Sequence, residues 1–150
     1  MPTNPSLSLV IHVSTDRRNG ASLGLAGSRR QTDEARRKLE MLCRYRYDYL
    51  ARMNEGTDPV RIASARAFID KLEHAIQHQQ REIEACESYS NACFHLLNAE
   101  EKKLKSLEML RDRRVRETGR SENRREQKHT DEFGARAARK GGSTLDYRSA

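Results

Sequence analysis

The sequence predicts an all-α fold: a long antiparallel two-helix coiled-coil hairpin with the C-terminal helix overhanging. Two observations lead to it. Apolar residues recur between Pro59 and Leu110 at alternating steps of three and four, and a period of 3.5 held that long draws a narrow seam that only another helix can bury. The second is a single clear break, Gly56-Thr57-Asp58-Pro59, with a second helical pattern on its N-terminal side.

With Ile62 as position a, the a and d positions read Ile62, Ala65, Ile69, Leu72, Ile76, Gln79, Ile83, Cys86, Ser90, Cys93, Leu97, Glu100, Leu104, Leu107 and Arg111, and eleven of the fifteen are apolar. Composition agrees. Ala, Glu, Leu, Lys and Arg supply 72 of 150 residues, close to the roughly 50% typical of coiled coils. At 35% hydrophobic and 5% aromatic residues, the chain has too little apolar mass for a layered core, so one elongated domain over 1–150 is expected.

Residues 1–32 read less clearly. Leu7, Leu9, Val10, Ile11 and Val13 are followed by Gly20, Gly24 and Gly27, and an interior glycine costs a helix roughly 0.5–1 kcal/mol relative to alanine. A strand with a phosphate-binding loop fails on detail, since neither Gly-Lys-Ser/Thr nor Gly-x-Gly-x-x-Gly is present. From Asp33 onward Ala35, Leu39, Leu42, Tyr49 and Met53 step at helical spacing, supported by acid-then-base pairs such as Asp33 with Arg37 and Asp48 with Arg52.

The expected elements are a first helix over about 5–54, a turn at 55–58, a second helix over about 59–139 and a loose tail at 141–150. Gly56 suits the position after a helix end, Asp58 an N-cap and Pro59 the first turn that follows. A fold-back centred near Thr57 sets Leu42 opposite Leu72, Ala35 opposite Gln79, and Leu7–Val13 opposite Leu104, Leu107 and Leu110. The N-terminal apolar cluster thereby gains a partner, which predicts helix there.

Past Leu110 the heptad positions turn polar: Arg114, Thr118, Ser121, Arg125, Lys128 and Glu132. Residues 111–140 are expected to project as an unpaired helix with 11 Lys or Arg against 6 Asp or Glu, which is +5 of the chain's +7. At about 1.5 Å per residue the second helix would be roughly 120 Å long. A net charge of +7 and a pI near 9.6 call for acidic partners.

Several functions find no support in the residues. Leu7–Val13, which contains Ser8 and His12, falls far short of the roughly 20 apolar residues of a membrane span and follows no basic stretch, so a cytoplasmic location is expected. Cys86 and Cys93 fall on the seam as small apolar thiols. His74 and His78 are four apart but lack further metal ligands, and no catalytic constellation can be gathered on a two-helix rod, so neither enzyme activity nor a cofactor or small-molecule substrate is expected. No aromatic lies between Arg111 and Thr130 to stack on bases, which argues against nucleic acid. A basic nucleic-acid-binding coiled coil and a plain structural coiled coil are the alternatives.

Near the turn, Phe68 and Ala75 flank Ile69, Leu72 and Ile76, while Tyr45 lies beside Leu42 and Tyr49. They either widen the coiled-coil contact or form a docking patch, since aromatic anchors are common in binding hot spots.

The ordered set Leu39-Glu-Met-Leu42, Tyr45-Arg-Tyr-Asp-Tyr49, Phe68-Ile-Asp-Lys-Leu-Glu-His-Ala-Ile-Gln77, Glu122-Asn-Arg-Arg-Glu-Gln-Lys128 and Asp131-Glu-Phe133 resembles the FliJ family of flagellar protein-export components. The resemblance covers about Asp33 to Lys140. It implies a hairpin similar to the stalk of the γ subunit of rotary ATPases, belonging to the flagellar type III export apparatus at the cytoplasmic face of the inner membrane. The implied partners are the hexameric export ATPase, whose ring assembly and activity it promotes, the cytoplasmic part of the export gate membrane protein, and substrate chaperones that it helps recycle. By the same resemblance, Leu42, Tyr45, Tyr49, Phe68, Leu72 and Ala75 would meet the gate. Arg113, Arg124, Arg125, Gln127, Lys128, Asp131 and Glu132 would approach the ATPase ring.

Overall fold

The computed structural model describes residues 4–56 and 58–142. Thr57 of the expected turn, and residues 143–150 of the expected tail, lie outside the described residues. Two helices account for nearly everything else: α1 (Pro5–Glu55) and α2 (Pro59–Gly142), with only Asn4, Gly56 and Asp58 outside them among the described residues. They pack as a helical hairpin.

Both helices begin in the same way. Asn4 and Asp58 each precede a proline, whose missing N–H and fixed φ suit the first turn. The Asn4 carbonyl accepts from the Leu7 and Ser8 amides, and Asp58 accepts the Val60 amide on Oδ1 at 3.1 Å and the Ile62 amide on its carbonyl at 3.0 Å. At the other end α2 continues three residues past about 139 and takes in Gly141 and Gly142.

The seam of α2 follows the predicted heptad. Fourteen of its fifteen positions are buried or half-buried, and only Arg111 is exposed. Ile69, Leu72, Ile76 and Leu104 are its most buried aliphatic residues.

α1 carries a matching seam along its whole length: Leu7, Ile11, Ser14, Arg18, Ala21, Leu25, Ser28, Thr32, Ala35, Leu39, Leu42, Arg46, Tyr49 and Met53 are all buried or half-buried. Its first half hides in the sequence because, apart from Leu25, the buried residues there are hydroxyls and alanine. Two of these hydroxyls find an acceptor on their own helix, which offsets their burial: Ser28 Oγ donates to the Leu25 carbonyl at 2.8 Å, and Thr32 Oγ1 to the Ser28 carbonyl at 3.0 Å. Gly20, Gly24 and Gly27 lie on the exposed side, so they weaken α1 without breaking it.

The chain divides into two compact units, His12–Leu104 and the segments up to Ile11 and from Lys105 onward. Within His12–Leu104, three of the contacts that cross the hairpin fix its alignment. The Tyr49 and Phe68 rings lie 4.3 Å apart, Gln79 Nε2 donates to the Ala35 carbonyl at 3.0 Å, and Arg36 Nη2 meets Glu87 Oε1 at 2.7 Å. A helical carbonyl points toward the following turn, so Gln79 reaching that of Ala35 sits level with Leu39.

The alignment that satisfies these contacts and the burial pattern sets Tyr49 level with Ile69, Leu42 with Ile76, Leu25 with Cys93 and Arg18 with Glu100. This corrects the expected register by about one turn, since Leu42 no longer faces Leu72. The reason is that antiparallel helices place an a residue against a d residue in each layer, and that rule moves the centre of the fold-back from Thr57 to about Pro59.

In the other unit, Leu7 and Ile11 line a groove with Arg111, Arg114, Val115 and Thr118. The N-terminal cluster is helical, as expected. Residues 120–141 of α2 are exposed on every side.

An alanine Cβ at Gly20, Gly24 or Gly27 would meet nothing within 4 Å. Replacing all three by alanine should therefore stabilise the hairpin, by about 0.5–1 kcal/mol per site, read as a raised Tm in circular dichroism. An unchanged or lowered Tm would mean that these glycines have a role other than filling helix.

Candidate functional site

Near the turn the aromatic patch combines flanking positions, Tyr45, Phe68 and Ala75, with the seam positions Leu42 and Tyr49. Tyr45 and Phe68 are exposed at 49% and 39%; Leu42, Tyr49 and Ala75 are half-buried. Leu72, at 7% exposure, belongs to the core beside the patch. The Phe68 ring tilts 36° against Tyr49, and the Arg52 guanidinium lies 5.8 Å from the centre of the Tyr49 ring. Offset aromatic pairs with a cation nearby keep an amphipathic surface rigid while leaving one face to water. Arg52 was not foreseen, although its position three residues after Tyr49 puts it one turn away on the same face.

The basic segment is organised differently. Arg113, Arg124, Arg125, Gln127, Lys128, Asp131 and Glu132 are all exposed on α2. With 3.6 residues per turn, Arg113, Arg124, Gln127, Lys128 and Asp131 share one face, while Arg125 and Glu132 lie about a quarter-turn round. Arg113 is partly engaged, its Nε donating to Glu117 Oε1 at 3.1 Å. Arg111 pairs with its neighbour Asp112. The segment therefore presents a mixed field with a basic excess rather than a continuous cationic stripe.

Where α1 begins, a groove of about 580 Å³ opens between Asn4, Leu7, Ser8 and Ile11 on one side and Arg111, Arg114, Val115, Glu117 and Thr118 on the other. Its floor is apolar and its rim charged. The sequence held one signal for it, the isolated Val115 among arginines.

A second, shallower groove runs between Arg29, Thr32, Asp33 and Arg36 on α1 and Glu87, Ser90 and Asn91 on α2. The Arg36 guanidinium is held above its ordinary pKa, first by its hydrogen bond to Glu87. That pair is half-exposed, so it aligns the helices more than it stabilises them.

His74 and His78 are exposed, and among the described residues no three His, Cys, Asp or Glu side chains gather as a metal site. The three cysteines are free and half-buried. No helix among the described residues is long and apolar enough to cross a membrane.

The family model described as Flagellar FliJ protein matches residues 3–143. The chain belongs to the FliJ family. It is thus a component of the flagellar, type III-related export apparatus. The FliJ match takes in both seams, the turn and the overhanging basic helix. Among solved structures, one described as that of a YscO homolog from Chlamydia trachomatis superposes with a TM-score of 0.70 at 18% identity, covering 97% of this chain and 98% of that one. At that identity the likeness is one of fold. No curated protein gives a significant match.

The split between Leu72 and Tyr45 has a measurable consequence. Leu72→Ala removes core atoms and should cost about 2–5 kcal/mol of stability, whereas Tyr45→Ala should leave the melting curve within about 0.5 kcal/mol of wild type. Equal losses would place Tyr45 in the core rather than on the surface.

Proposed function

We propose that this hairpin is a non-enzymatic coupling component of the export machine, which binds and stimulates the hexameric export ATPase and links it to the cytoplasmic part of the export gate. The observation that carries the reading is the presence of two chemically distinct exposed surfaces, one in each compact unit. The first is the tilted aromatic pair with Tyr45, anchored over Leu72 and suited to an apolar pocket on the gate. The second is the fully exposed helix of residues 120–141, with seven Lys or Arg against four Asp or Glu, suited to an acidic protein surface.

On this reading Arg113, Arg124, Arg125, Gln127, Lys128, Asp131 and Glu132 address the ATPase ring. Tyr45, Tyr49 and Phe68, backed by Leu42, Leu72 and Ala75, address the gate. Recycling of substrate chaperones fits the same helices, whose long solvated faces leave room for further partners. The protein would sit peripherally at the cytoplasmic face of the inner membrane through these contacts.

Stimulation of the cognate export ATPase tests the proposal. The wild-type chain should raise hydrolysis and ring formation, and Arg124→Glu with Lys128→Glu should cut the apparent affinity about tenfold or more, with the loss growing as salt is lowered. Tyr45→Ala with Phe68→Ala should leave stimulation intact and weaken gate binding. A wild-type chain that neither binds nor stimulates the ATPase rules the coupling role out.

A further inference from the structure

The seam of His12–Leu104 contains two opposite charges that no partner-binding role uses. Arg18 is a half-buried seam residue of α1, and Glu100 is a seam residue of α2 only 9% exposed. Glu100 Oε1 lies 3.7 Å from the exposed Lys103 Nζ, while Glu100 Oε2 is buried without a hydrogen-bond partner. On the other helix, Arg18 Nε is likewise buried without one. By the alignment above, a leftover donor on a cation and a leftover acceptor on an anion fall in the same layer of the hairpin, where side-chain rotation or bridging water can join them.

We propose that Arg18 and Glu100 form a charged layer that locks the alignment of the two helices. Elsewhere in this stretch the seam discriminates weakly, because Ser14, Ala21, Ser28, Cys86, Ser90 and Cys93 are small and nearly interchangeable in shape. Sliding one helix by a heptad would preserve the burial of such residues at little cost.

The same slide would set Arg18 against Cys93 or Leu107 and Glu100 against Leu25 or Ile11. Each charge would then be buried beside an apolar side chain, which strongly disfavours the slipped state. A single polar layer is a known means of fixing register in coiled coils, and it does so at some expense in stability. The lock matters for the tip, since a slipped alignment would separate Tyr49 from Phe68.

Two linked measurements test this on the full chain. In circular dichroism, Arg18→Met and Glu100→Leu should each lower Tm by about 5 °C or more, and combining them should restore it to the wild-type value or above, because the apolar pair leaves no charge unmatched. In a Cys43→Ala background, Leu25→Cys should oxidise to a disulfide with Cys93 alone, whereas adding Arg18→Met and Glu100→Leu should let Cys86 compete, both mapped by mass spectrometry of peptides. If a single variant fails to fold, the exchanged pair Arg18→Glu with Glu100→Arg carries the test and should melt near the wild-type temperature. Additive losses in the melts, a destabilised exchange variant, or cross-linking still confined to Cys93 in the apolar double variant overturns the lock.

Discussion

Two helices lying side by side have no interior beyond the line along which they touch, and every other feature of this chain depends on keeping that line continuous. A seam one or two side chains wide can hold only residues spaced by three and four, on both helices, in opposite order. Ile69, Leu72 and Ile76 supply its apolar weight near the turn. Ser14, Ser28 and Thr32 keep it narrow further along, where their hydroxyls are answered within α1 or are small enough to be enclosed. The Arg18 and Glu100 layer follows from the same geometry, because a seam without shape preference needs charge to define its alignment.

The sequence made the seam of α2 legible almost residue by residue, since eleven of its fifteen positions are apolar and the phase never slips. The turn was equally plain, with Asp58 and Pro59 in the roles that capping chemistry assigns them. The first half of α1 was harder to read. Hydroxyls and alanine carry no hydrophobic signal, and three glycines spoke against helix, although stepping back from Ala35 by three and four reaches Thr32, Ser28, Leu25 and onward to Leu7. The register was misjudged by about a turn because loop length alone placed the fold-back at Thr57, whereas the a-against-d rule operates on the whole seam and outweighs three loop residues.

The candidate surfaces were legible in composition but not in depth. Tyr45 and Phe68 stand out as aromatics beyond what a seam requires, yet only the packing distinguishes them from Leu72 beneath. The basic excess after Leu110 was visible as a count, while its arrangement around the helix, and the groove of Leu7, Ile11 and Val115, required both helices to be placed. Membership of the FliJ family places the chain in the flagellar export apparatus.

The stretch from Arg120 to Gly141 has a further physical consequence. About six turns of helix there are exposed on every side, so their peptide hydrogen bonds open to water at the modest cost of local helix fraying. Deuterium should enter these amides far sooner than those beside Ile69 or Ile76. Capture by another protein would slow that uptake without adding a single residue of secondary structure, so the same segment can report its own occupancy.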